Sequence, residues 1–344
     1  MENFFLNDFF KKQYQQATQK YAFKKGSRKE CEAWQSECKN VFIEDLGGFF
    51  PQPENKSMRV IEQREYETYT LKRVVYDVTD GLRSPAYILT PRNAGEKNPA
   101  VVALHGHGYG SREICGLLPD GTDKDKNKPE QIGYQKDFAI SLVNMGFIVI
   151  APELAGFGDM KFEEDKNGYS SCHRVSTWLT MLGKTTSGLR VMQTMRAVDC
   201  LLSLPNIDSN RIGAMGISGG GLVCAFTSAI DTRIKAAVVS GYTNTYKDSV
   251  LNVMHCIDNY YPNAVNHAEM PDIIGLIAPR PLFVESGEYD DIFPIYASKF
   301  AFNYLKEIYK CFDAENNLDM EIFKGDHQIW GNESLKFLRD KLIL

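Results

Sequence analysis

A chain of 344 residues with 43% hydrophobic and 24% charged residues carries enough apolar material for a sizeable core and suits one large α/β unit with an extension. Its formal net charge of −5 gives no electrostatic reason to bind nucleic acid or an anionic membrane. No stretch reaches the roughly 20 apolar residues that span a bilayer, and Met1-Glu-Asn-Phe-Phe-Leu-Asn-Asp8 lacks the basic start and apolar centre of a secretory signal. Eight cysteines without a C-x-x-C pair read as reduced thiols of a cytoplasmic protein, several of them as small hydrophobes in apolar runs.

Residues 1–60 differ from the rest. Phe4, Phe5, Phe9, Phe10 and Tyr14, then Trp34, Cys38, Val41 and Phe42, recur at helical spacings among lysines and glutamines, which predicts two or three amphipathic helices. They end near Gly47-Gly48 and the Pro51-Gln-Pro53 break. The expectation is a helical extension over 1–60, a cap packed on a domain over 61–344, with an oligomer contact or a pocket wall as the other roles open to it.

Alternation from Tyr66 to Thr90 around the turn Asp80-Gly81 predicts an antiparallel pair. Pro99 to His105 is continuously apolar, as in a parallel strand covered on both faces. Asp137–Asn144 reads as a helix and Gly146–Pro152 as the next strand. A long helical stretch runs from about Val175 to Pro205. Further strands are expected at Ile234–Ser240, Arg280–Ser286 and Leu318–Lys324, with a helix at Ile295–Tyr309. Strand and helix alternate from residue 99 onward, which predicts a mostly parallel sheet with helices on both faces and reactive groups at the strands' C-terminal ends.

The stretch Arg211-Ile-Gly-Ala-Met-Gly-Ile-Ser-Gly-Gly-Gly221, running into Leu222–Thr227, reads as strand, sharp turn and helix. A Gly-x-Ser-x-Gly in that setting is a nucleophile elbow, with Ser218 in a strained conformation and its hydroxyl exposed. Alone the motif is a common Gly-rich turn; the loops that follow give it weight. Gly287-Glu-Tyr-Asp290-Asp291-Ile-Phe-Pro294 follows the next strand but one, and Gly325-Asp326-His327 the last. Ser218 is assigned as nucleophile, His327 as base and Asp290 as acid. A serine hydroxyl needs a base to take its proton, and an imidazole needs a carboxylate to hold its tautomer. Asp291 competes for the acid role; Asp326 is expected to cap its loop. The oxyanion hole is expected from the backbone N–H groups of Gly219 and His107, with Gly108 next in line. His105 and His107 share one turn, but no Cys, Asp or Glu stands within two residues of them, so no metal site is expected there. His255, Cys256 and His267 are expected to line or support the pocket, and Tyr242, Tyr246, Tyr260 and Tyr261 either face a sugar or pack under a cap.

With Leu104-His-Gly-His-Gly108, Thr194–Asp199, Asp208–Gly213 and Ile277-Ala-Pro-Arg-Pro281, residues 60–340 resemble the α/β-hydrolase superfamily on its dienelactone hydrolase and acetyl xylan esterase-like side. The resemblance implies hydrolysis of carboxylic esters, often of small acyl groups, by the same three residues without metal or organic cofactor. Ser218 stands where dienelactone hydrolases carry cysteine, which turns the expectation to ordinary esters. The leading expectation is a serine esterase that forms an acyl-enzyme on short-acyl small-molecule esters, acetylated sugars among them, and that is open to homo-oligomer formation. The alternatives are a serine peptidase of the acyl-peptide hydrolase kind and a non-catalytic ligand-binding relative.

Overall fold

The computed structural model of the chain describes residues 4–54, 57–125 and 127–344. Its strands form one sheet, composed of β1 (Met58–Glu65), β2 (Tyr69–Thr79), β3 (Leu82–Pro91), β4 (Asn98–Leu104), β5 (Ile148–Pro152), β6 (Ile207–Ile217), β7 (Ala236–Ser240), β8 (Leu282–Gly287) and β9 (Leu318–Phe323). They lie in the order β1-β2-β3-β5-β4-β6-β7-β8-β9. β1, β2 and β3 pair antiparallel, as do β3 and β5, and every pair from β5 across to β9 is parallel. The helices are α1 (Asn7–Gln16), α2 (Arg28–Asp45), α3 (Ser111–Ile114), α4 (Phe138–Asn144), α5 (Cys172–Met181), α6 (Thr186–Ser203), α7 (Gly219–Ile230), α8 (Ala264–His267), α9 (Met270–Gly275), α10 (Ile295–Cys311) and α11 (Glu333–Leu342).

β-branched runs such as Val101-Val102, Ile148-Val149-Ile150 and Val238-Val239 fit a pleated strand whose two faces are both buried. β4 shows the period of two directly. Ala100, Val102 and Leu104 face the apolar core on one side of the sheet, while Val101 and Ala103 face the core on the other. Phe226 and Leu222 of α7 fill the first core, and Phe138, Leu142, Phe337 and Leu338 of α4 and α11 fill the second. The mostly parallel sheet covered on both faces is thus the one the alternation predicts.

Three features differ from the reading of the sequence. β1 adds an edge strand where no strand is expected; its burial alternates weakly, so its pattern is faint. The single long helix expected from Val175 is two, α5 and α6, separated at Gly183, whose φ of 68° lies in the left-handed region. α11 covers the sheet after the last strand and was not expected.

The N-terminal segment behaves in two ways. In α2, Cys31, Cys38 and Phe42 are buried, and Phe42 meets Phe226 edge to face at 4.8 Å between ring centroids. α1 buries no residue, and Phe9 and Phe10 stay 56% and 59% exposed. The cysteines are not all free thiols: a disulfide joins Cys31 of α2 to Cys311 at the end of α10. Cys38, Cys115, Cys172, Cys200, Cys224 and Cys256 are free. Among the described residues no helix is long and apolar enough to cross a membrane.

Candidate functional site

The site lies where the exits of β4, β6, β7, β8 and β9 come together. β4 and β6 are in register from Ala100 opposite Ile212 to Leu104 opposite Gly216, so the loops beginning at His105 and Ser218 leave the sheet side by side. This is the kind of crevice in which open α/β sheets hold ligands. Ser218 sits at φ 57°, ψ −124°, a conformation costly for a residue with a Cβ and typical of a strained functional turn. Its own N–H is tied to Ser240 O at 3.0 Å. The elbow needs its glycines. A Cβ on Gly216 would run into the backbone of Gly220, and one on Gly220 into the carbonyl of Leu104.

Asp290 and His327 meet in the same place. Asp290 is 5% exposed, and its Oδ2 accepts from His327 Nδ1 at 2.7 Å. Its Oδ1 accepts the N–H groups of Ile292 and Phe293 at 3.0 and 2.9 Å, which holds the carboxylate in one orientation. The imidazole of His327 stacks between Tyr134 and Phe293, each ring centroid 5.7 Å away. Its Nε2 is buried and has no hydrogen-bond partner among the described residues, so that edge is free to receive a proton. Ser218, Gly219, His107 and His327 line one cavity of about 400 Å³, together with Tyr134, Tyr169, His255, Cys256 and Phe293. Asp291 and Asp326 are exposed and do not pair with His327.

In the loop after β4, two backbone donors are tied to side chains. Gly106 N–H goes to Gln135 Oε1 at 2.7 Å and Tyr109 N–H to Glu113 Oε2 at 3.2 Å. The N–H groups of His107, Gly108 and Gly110 have no partner among the described residues, nor does that of Gly219 at the first turn of α7. The Cα of Gly219 faces the His107 ring, since a Cβ there would lie 3.1 Å from its Cε1 and Nδ1. His105 plays a different part. It is fully buried, and its Nε2 accepts from Leu154 N at 3.1 Å. That puts the proton on Nδ1, which donates to Gly106 O at 2.8 Å. His105 holds the loop, as does Glu153, which accepts from the N–H and hydroxyl of Ser111 at 2.9 and 3.0 Å.

Several supporting groups leave no signal in the sequence. Tyr134 donates to His107 O at 2.7 Å and also interacts with Ser218. Burial pushes its phenol far above the ordinary range. Glu285, at the end of β8, is fully buried and accepts from Ser240 and Ser334 hydroxyls at 2.6 Å and from the N–H groups of Trp330 and Gly331 at 3.2 and 2.8 Å. It thereby fixes the segment just after His327. Glu285→Ala would strand these donors and is expected to lower stability by about 3 kcal/mol and to lower kcat as well. Urea unfolding checks it, and a loss under about 1 kcal/mol would mean that water replaces the carboxylate without cost.

On the far edge of the His107 ring, its Nε2 lies 3.4 Å from Asp258 Oδ2. Asp258 also pairs with Arg190, which is 2% exposed and donates to Ala155 O and, at 3.2 Å, to Cys172 Sγ. Burial opposes the charge on His107, but Asp258 and Cys172 overcome it and raise the imidazole to about 9. A hydrogen bond from Cys256, against the cost of burial, and then the charge of Arg190 draw the Cys172 thiol down to about 4, while Cys256 is driven up.

One expectation about the pocket walls is resolved toward packing and one is overturned. Tyr242, Tyr246 and Tyr261 are buried and pack against Phe226 and one another; the aromatics of the cavity are Tyr134, Tyr169 and Phe293. His267 pairs with Asp45 of α2 at 2.8 Å, apart from the cavity, which His255 and Cys256 do line.

A model of the abhydrolase family matches residues 8–321. The chain is 26% identical to the candidate hydrolase YtaP of Bacillus subtilis (strain 168) over 254 residues, 72% of this chain and 79% of that one. Among solved structures it is similar to a candidate acetyl xylan esterase from Bacteroides fragilis, with a TM-score of 0.78, 19% identity, and 94% and 83% of the two chains covered. It is also similar to a glucuronoyl esterase from Solibacter usitatus, with a TM-score of 0.66 at 14% identity, covering 89% and 91%. At these identities the structural likeness speaks for the fold.

Proposed function

The chain belongs to the abhydrolase family, and from that membership we propose that it is a serine carboxylic-ester hydrolase acting on short-acyl esters of polar, hydroxylated alcohols. The observation that carries the reading is the contact of His327 Nδ1 with buried Asp290 beside a free Nε2 and a strained Ser218 in one cavity. The similarity to an acetyl xylan esterase and a glucuronoyl esterase supports the ester as the bond attacked.

In this reading Ser218 Oγ attacks the ester carbonyl and its proton passes to His327 Nε2. The new negative charge falls between the N–H groups of His107 and Gly219. The imidazolium, stabilised by Asp290, gives its proton to the departing alkoxide, which leaves an acyl-serine. Water then attacks along the same path, with His327 again taking and returning the proton. Asp290 stays ionised throughout and keeps the hydrogen on Nδ1.

A cavity of about 400 Å³ shared by nucleophile, base and substrate leaves room for a small acyl group. A second cleft of about 780 Å³ shares His107, Tyr134 and Tyr169 with it and carries Arg112, Asp159, Lys161 and Asn167, which suits an alcohol rich in hydroxyls. The residues lining the catalytic cavity run from His107 to His327, so the N-terminal helices serve as a cap built onto the catalytic unit rather than as a pocket wall, and that unit begins with β1 at Met58 rather than at residue 61. The free buried thiols favour a reducing compartment, with the Cys31–Cys311 pair as the exception.

The test is turnover of p-nitrophenyl acetate, butyrate and octanoate, with mass spectrometry after a fluorophosphonate. Rates that fall at least about tenfold from acetate to octanoate, with one adduct on Ser218, are expected. A chain that neither turns over these esters nor takes the label would end the proposal.

A further inference from the structure

Four side chains from three separate segments converge beside the His107 ring. His107 comes from the loop after β4, Cys172 from the first residue of α5, and Cys256 and Asp258 from the segment after β7. One ligand atom of each, a ring nitrogen, two sulfurs and a carboxylate oxygen, all lie within 4.8 Å of one another. Ester hydrolysis by Ser218 and His327 makes no use of the two thiols or of Asp258.

We propose that His107, Cys172, Cys256 and Asp258 bind one divalent transition-metal ion, zinc by the nature of the donors, in a tetrahedral structural site. Zinc takes thiolate sulfur at about 2.3 Å and nitrogen or oxygen at about 2.0–2.2 Å, so ligand atoms around it stand roughly 3.3–3.8 Å apart. His107 Nε2 and Asp258 Oδ2 are already 3.4 Å apart, and Cys172 Sγ and Asp258 Oδ2 are 3.6 Å apart. The fit extends to the polar balance. His107 Nε2 is buried with no well-formed hydrogen bond among the described residues, its neighbours being the Asp258 carboxylate and the Cys172 sulfur, and such a ring nitrogen is satisfied by a metal ion bound between them. Two thiolates and one carboxylate would carry three negative charges. The buried Arg190 guanidinium, bonded to Asp258 and to Cys172 Sγ, and a divalent ion offset all three. Arg190 and Asn259, whose side chain donates to Asp258 Oδ1 at 2.8 Å, supply the outer hydrogen bonds that orient metal ligands.

Binding needs both sulfurs as thiolates and His107 Nε2 without hydrogen, so the protons these atoms carry pass to solvent and no other reactant is used. The ion would tie the Cys256–Asp258 segment, which borders the cavity, to the loop that carries the His107 N–H. With Nε2 on the metal, the ring hydrogen must sit on Nδ1, and the Nδ1–Cε1 edge is the one that faces Gly219. A metal there would therefore fix both the backbone and the ring of His107 at the oxyanion position without touching substrate. The neighbourhood of His107 in the sequence gives no hint of this, because every partner is remote along the chain.

The test uses the full chain, without a polyhistidine tag and purified in the absence of chelators. Elemental analysis is expected to return about one equivalent of zinc per chain. Replacement by Co²⁺ should give the thiolate charge-transfer absorption and strong visible bands of a tetrahedral site. The double variant C172S/C256S, checked for folding by circular dichroism, should lose the absorption and hold less than about a tenth of the metal. Three results would each overturn the proposal. The first is a wild-type chain that stays below about 0.1 equivalent after incubation with Zn²⁺ and dialysis. The second is metal retained by the folded double variant. The third is a Cys172–Cys256 disulfide found in the native protein. Metal content is read independently of turnover, so failure here would leave the esterase proposal standing, and the reverse holds too.

Discussion

Ser218→Ala is expected to lower kcat toward short-chain p-nitrophenyl esters by about 10⁴- to 10⁶-fold while the chain stays folded. The magnitude follows from the geometry. The Ser218 side chain interacts with the Tyr134 hydroxyl, which keeps its bond to His107 O without it, and the elbow is kept in place by the glycine backbone and by Ser218 N–H on Ser240 O. Removing Oγ deletes the attacking atom and little else, so KM for an ester should change far less than kcat. The alanine must still adopt φ near 57°, which costs it about what it costs serine, so stability should move by less than about 1 kcal/mol. A variant that kept turnover within about tenfold of the wild type would show that the esters are hydrolysed by some other group, and the nucleophile assignment would fall.

Asp290→Asn is expected to lower kcat by about 10⁴-fold, whereas Asp291→Asn should leave it within about twofold. Asp290 accepts three hydrogen bonds, one of them from His327 Nδ1. An asparagine there can keep the two backbone N–H groups on its oxygen. Its NH₂ then faces Nδ1 and forces that nitrogen to accept, which moves the ring hydrogen to Nε2. His327 would present a donor to Ser218 in place of a base. Asp291 is exposed and has no such contact. Kinetics of the two variants at neutral pH decide between the neighbours, and equal losses in both would sink the assignment of Asp290.

Much of the candidate site could be read in order along the chain because each of its three central residues closely follows a strand. The apolar runs mark the strands, the glycines mark the turns, and Ser218, Asp290 and His327 each stand a few positions past a run's end. A parallel sheet delivers such exits to one edge, whatever the order of its strands. The supports were not legible in that way. Glu285 lies inside an apolar strand and looks like an interruption of it; only the placement of Ser240, Trp330, Gly331 and Ser334 around it explains a buried carboxylate. Tyr134 stands in a loop rich in polar residues, and its stacking on His327 depends on how that loop folds back. β1 was missed for a related reason: it lies at the edge of the sheet, where half-exposed residues blur the period, whereas α11 carries a clear helical spacing in Phe337, Leu338 and Leu342 and was legible.

The α/β alternation, the Gly-rich turn at Ser218 and the succession of Asp290 and His327 after it are legible in the sequence. Those are properties of short stretches, in which hydrophobic period and turn chemistry act over a few residues. The tertiary structure alone decided which tyrosines face the cavity, that Cys31 meets Cys311, that His105 is a buried prop, and that His107 stands among Cys172, Cys256 and Asp258. Each of these depends on strand order and on loops packing across the sheet's edge. Such contacts bring together residues far apart in the chain, and no local pattern encodes them.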